Sequence, residues 1–93
     1  MKFFTQELAA GGLTSMVLSA ADGALQISIQ PQANSGCTIT GGIDFNMGGT
    51  ILTPQAIPLV NNNTLVLSAS PSSPIDGLTI TWVSGIVCVI IGF

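Results

Sequence analysis

From Leu78 to Phe93 the chain reads LTITWVSGIVCVIIGF, with apolar side chains returning at every second position. That is the period of a β-strand. Ser84-Gly85 interrupts it as a two-residue turn, so the stretch is expected to fold as a hairpin. Trp82 would then face Val87, Ile80 would face Val89 and Leu78 would face Ile91, giving one continuous apolar face for the core. The opposite face is mixed. Thr79 and Thr81 make it polar on the first strand, whereas Ile86, Cys88 and Ile90 make it apolar on the second. A strand that is apolar on both sides is covered on both, and a chain of 93 residues has little left to provide the second cover. Another subunit is therefore expected over Ile86, Cys88 and Ile90.

The same alternation runs through the rest of the chain. Asp22-Gly23 suits a type I′ turn, and folding there sets Leu18 opposite Ile27, Met16 opposite Ile29 and Ala20 opposite Leu25. Ser19 then meets Gln26 and Ser15 meets Gln30, with Val17 against Ser28 as the mixed pair. PQANSG (31–36) reads as a loop. Cys37 and Ile39 point inward and Thr38 and Thr40 outward. IDFNM, between Gly41-Gly42 and Gly48-Gly49, offers Phe45 and Met47 to the core. Thr50 to Thr53 is a further strand, ended by Pro54. Pro58 restricts Gln55–Val60 to a sheet edge, and Asn61-Asn62-Asn63 is a turn. In the next strand Leu65, Leu67 and Ala69 alternate with Val66, Ser68 and Ser70, and PSSPIDG links it to the final stretch.

Met1 to Ala10 fits three descriptions. Phe3, Phe4 and Leu8 could line a helical turn, belong to an edge strand, or form an arm that grips a neighbour; Gly11-Gly12 ends the segment. Residues 1–12 are thus expected to be an arm or edge strand and 13–93 a single domain. Roughly eight short strands punctuated by Gly, Pro and Asn make that domain an all-β antiparallel sandwich or jelly roll. Trp82, Ile80, Leu78, Leu18, Ile27 and Ile29 are its expected core anchors.

Composition sharpens the picture. Charged residues are 5% of the chain, against about 25% in ordinary globular domains. Lys2, Glu7, Asp22, Asp44 and Asp76 are the whole charged set, and the net charge is −3. With one cation the chain cannot neutralise a run of phosphates, which argues against nucleic acid and against anionic lipid as partners. Ile86–Ile91 is far shorter than the about 20 residues of a spanning helix. Gln6 and Glu7 break the run after Phe3-Phe4 too early for a secretory signal. Cys37 shares its parity with the inward Ile39, whereas Cys88 lies opposite in parity to Trp82, so two buried free thiols are expected in preference to a disulfide.

Candidate chemistry is sparse. The chain has no His and no Tyr, so the usual general acids and bases reduce to a few carboxylates. Asp22 and Asp76 each precede Gly in turns. Asp44 stands alone, where a calcium ion wants about six oxygens or more. Two Cys without His do not form a zinc site, and the Gly pairs lack the spacing and the Lys of a phosphate-binding loop. No enzyme activity, cofactor or metal is expected. Asn62-Asn63-Thr64 matches a glycosylation sequon but reads as a turn. Trp82 could stack on a sugar, yet its parity with Leu78 and Ile80 places it toward the core.

Gly85–Phe93 has high β propensity, no charge and no Pro, the pattern of a segment that associates unless covered. Together with the Thr, Ser, Asn and Gln surface and the closing segment DGLTITWVSGIVCVIIGF, this resembles the small all-β structural proteins of tailed or icosahedral bacteriophages, such as capsid decoration proteins, head fibres and spikes. The resemblance extends over nearly the whole chain, rests on features and not on a motif, and transfers no functional residue. It implies a virion protein, assembled in the host cytoplasm, that attaches to a major capsid or other virion protein. The expected form is a homo-oligomer, a trimer, with Ile86, Cys88 and Ile90 at the contact and Phe3 and Phe4 as arm anchors. A carbohydrate-binding or adhesion module is the alternative, and an enzyme accessory domain a third.

Overall fold

The computed structural model describes residues 1–41, 45–47, 50–52 and 57–93. Within them the strands are β1 (Phe3–Ala9), β2 (Ser15–Leu18), β3 (Gln26–Pro31), β4 (Gly36–Gly41), β5 (Phe45–Met47), β6 (Thr50–Leu52), β7 (Ile57–Val60), β8 (Leu65–Ser68), β9 (Leu78–Ser84) and β10 (Ile86–Gly92). A 3-10 turn occupies Ala20–Asp22. The expectations for Asp44 and Pro54, and for the side chains of Phe45 and Met47, fall outside the described residues.

The pairing follows one rule. Phe3 pairs with Gly92, Ser15 with Thr81, Ile27 with Leu67, Cys37 with Leu59 and Met47 with Thr50. The two halves of the chain therefore run antiparallel to each other as one long ribbon, doubled back beyond Met47. The ribbon is then rolled, which brings β10 against β3 as well as β1, and β9 against β4 as well as β2. Two four-stranded antiparallel sheets result, in the orders β1-β10-β3-β8 and β2-β9-β4-β7. The all-β sandwich is thus present, in the strand order of a jelly roll.

Rolling overturns both expected hairpins. β9 and β10 belong to different sheets, and so do β2 and β3. Ser84-Gly85 is a corner where the chain crosses between layers, with Gly85 at φ +70°. Asp22 closes the 3-10 turn and not a hairpin: its carboxylate accepts the Ser19 backbone N–H at 2.8 Å, and Asp76 accepts that of Ala20 at 3.0 Å. Gly23, at φ +73°, ends the turn. Ala20 is consequently exposed, and Ala24 takes the inward place.

The core lies between the sheets. From the first come Leu8, Ile27, Ile29, Val87, Val89 and Ile91; from the second come Leu18, Cys37, Ile39, Leu78 and Ile80. Trp82 is half-buried and packs against the margin of this set. At β7 the edge position is occupied by the strand that carries Pro58. Asn61 and Asn62, at φ +50° and +64°, make the turn into β8, where Asn tolerates left-handed backbone better than most residues. Both cysteines are free thiols. Cys37 is buried, which raises its pKa above the ordinary thiol value by desolvation.

Candidate interaction surface

β10 runs through the middle of the first sheet, with β1 on one side and β3 on the other. Alternation turns Val87, Val89 and Ile91 into the core, so Ile86, Cys88 and Ile90 must face out. Ile86 and Ile90 are each 43% exposed, while Cys88 is half-buried. Gln32 covers Cys88, its amide nitrogen 3.3 Å from the sulfur. Across the sheet Ile90 stands between Thr5 and Ser28, and Val66 continues the same row on β8. Cys88 stands between Glu7 and Gln30.

Phe3 and Phe4 belong to β1 and point to opposite faces of the sheet. Phe3 is 59% exposed on the outer face, where it and Met1 lie over Gly92; a methyl group at Gly92 would run into the Met1 sulfur and press against the Phe3 ring. Phe4 has the inward parity of Leu8 but sits beyond the core. It is 56% exposed and meets the Phe93 ring edge-on, with centroids 5.4 Å apart. These aromatics are thus tied to a strand of the sheet, paired residue by residue with β10. The five residues singled out as a contact set lie on two neighbouring strands; four of them share no single face with Phe4.

The other expected site residues are placed as follows. Leu78, Ile80, Leu18, Ile27 and Ile29 are buried. Trp82 donates its indole N–H to the Gly85 carbonyl at 2.8 Å, and its backbone N–H to the Thr14 carbonyl at 2.8 Å. The ring braces the corner between the layers, and its polar handle is used there.

Ser35 is the residue that the alternation did not single out. It is buried, and its hydroxyl donates to the Ala33 carbonyl at 3.2 Å while accepting the Ile86 N–H at 2.9 Å. Its own carbonyl accepts the Asn61 N–H at 3.0 Å. A side chain at Gly85 would run into the Oγ, Cβ and Cα of Ser35. The corner that delivers Ile86 to the surface is therefore set by Ser35 and Gly85 together. A buried hydroxyl in the PQANSG loop carries no periodic signal in the sequence.

Among the described residues no three or more His, Cys, Asp or Glu are grouped as metal ligands, and no helix is long and apolar enough to cross a membrane. No family model, no curated protein and no solved structure matches this chain.

Proposed function

We propose that this chain is a non-enzymatic structural protein of a bacteriophage particle, which associates with itself and attaches to the capsid or a related shell. One observation carries the reading: the central strand of the first sheet presents Ile86 and Ile90 to the outside. An apolar pair on a central strand is the place to gain burial against a neighbour, at about 25 cal/mol per Å² removed from water. The jelly-roll order supports the reading by analogy of fold, since viral capsid domains use it, as do lectins and cupins. Low charge supports it further, because little repulsion opposes the packing of many identical copies.

The carbohydrate-binding alternative depends on Trp82 as a platform, and a half-buried indole bonded to Gly85 is poorly placed for that work. Light scattering on the purified chain, coupled to co-sedimentation with phage shells, tests the proposal. Association at tens of micromolar and shell binding are expected, and Ile90→Asp should weaken both by roughly tenfold or more, about 1.4 kcal/mol per decade. Thr79→Asp, on the other sheet, should leave both unchanged. A chain that stays monomeric and ignores shells would overturn the reading.

A further inference from the structure

β1 is the longest outermost strand of the two four-stranded sheets. Lys2 and Phe93 exchange both backbone hydrogen bonds, at 3.1 and 2.8 Å. In an antiparallel pair such residues alternate with ones whose N–H and C=O groups point the other way. Phe3, Thr5, Glu7 and Ala9 therefore aim their backbone groups off the sheet. Ala9 spends its own on the following turn, giving its N–H to Leu13 and accepting from Gly12, both at 3.1 Å. Phe3, Thr5 and Glu7 have no backbone partner among the described residues, because β1 is the outermost strand of its sheet.

The other three margins of the two four-stranded sheets are blunted. β7 contains Pro58, and β2 and β8 are four residues long. β1 is seven residues long, its register with β10 is unbroken, and it has no Pro. Edge strands of that kind normally carry a guard against pairing with another chain; here the one charge within the strand is Glu7, on the outer face.

We infer that β1 pairs antiparallel with β1 of a second copy about a two-fold axis at Phe4, joining the two first sheets into one. This rests on the self-association proposed above and adds to its outer-face contact a second one at the edge of the sheet. Opposed residues in such a pair must point to the same face, which limits the register. With the axis at Phe4, Phe3 hydrogen-bonds to Thr5 of the second copy and Thr5 to its Phe3, while the two Phe4 rings meet at a closely spaced position. The two Glu7 carboxylates then lie at opposite ends of the seam. An axis at Thr5 would instead set Phe3 against Glu7 and Phe4 against Gln6. A second copy is favoured over a charged partner because the strand places no like charges opposite one another in this register and the chain has one cation to offer. A strand paired with its own copy closes two-fold, so the unit has two subunits, or a multiple of two, in place of three. The row holding Ile90 and Thr5 then continues across the seam to the second copy's Phe3.

Light scattering and residue-resolved amide exchange on the full chain test the seam. Thr5→Pro removes an N–H that points off the sheet and leaves the β10 ladder intact; Phe4→Lys places two like charges on the axis without touching the backbone. Each should weaken dimerisation at least roughly tenfold, about 1.4 kcal/mol, with far-ultraviolet circular dichroism unchanged. In the wild-type dimer the amides of Phe3 and Thr5 should be protected, and dilution should expose them. Should Thr5→Pro fail to fold, Phe4→Lys and the exchange rates decide. A wild-type oligomer that both variants preserve, with those amides exchanging freely, overturns the seam and spares self-association. A wild-type monomer at all concentrations overturns both.

Discussion

β9 and β10 are sister strands. Each is seven residues long, each lies inside a four-stranded sheet, and each buries alternate apolar side chains in the same core. They differ on the outside. β9 shows Thr79 and Thr81, which face Thr40 and Thr38 across the sheet; exposed apolar side chains on that side are Val83 at the corner end of β9, Val17 on β2 and Val60 on β7. β10 shows Ile86 at its first position and Ile90 further along the strand. The interior requirement is the same for both strands, so it cannot explain the difference. On the reading proposed above, the threonine face meets water and the isoleucine face meets another protein.

The largest effects should come from the shared face. Ile80→Ala on β9 and Ile91→Ala on β10 should each cost about 2–5 kcal/mol, read from urea denaturation, whereas Ile90→Thr should change monomer stability by no more than about 0.5 kcal/mol. A large loss for Ile90→Thr in the monomer would mean that the outer isoleucine supports the fold and the contrast between the strands is misread. Next comes the corner that joins them. Gly85→Ala introduces a left-handed alanine and a clash with Ser35, and about 1–3 kcal/mol should be lost; a neutral result would show that β9 and β10 are not held apart there.

The smallest effect is a pH slope. Desolvation raises the Cys37 pKa, so above the ordinary thiol range the unfolded chain ionises while the folded chain keeps its proton. Stability is full below that range and falls as pH rises through it. The urea midpoint should decline between neutral pH and about pH 10, and Cys37→Ala should flatten the decline. The same slope in Cys37→Ala would assign it elsewhere.

Alternation made the inward side chains of most strands legible, because it reports which way a side chain points. It does not report which strand lies alongside. Trp82 and Val87, or Leu18 and Ile27, can share a core either as neighbours across a hairpin or as opposite walls of a sandwich, and the sequence pattern is identical in the two cases. Asp22-Gly23 and Ser84-Gly85 supply the positive φ that both a tight hairpin and a layer-crossing corner use. Pro58 and the Asn triplet were more telling, since a missing donor and a tolerance for left-handed backbone have fewer structural uses. Ser35 was silent because a hydroxyl that satisfies an amide fifty-one positions away leaves no local trace.

The doubled ribbon has a consequence for how this protein comes into being. Each strand of the first half finds its ribbon partner only in the second half, so a nascent chain leaving the ribosome has few local contacts to settle into until synthesis is well past its middle. Such dependence on remote pairing slows folding and leaves β-prone segments unprotected meanwhile. The scarcity of charge offers no defence during that interval, and rapid completion of β10 would be what shields the waiting β1 and β3.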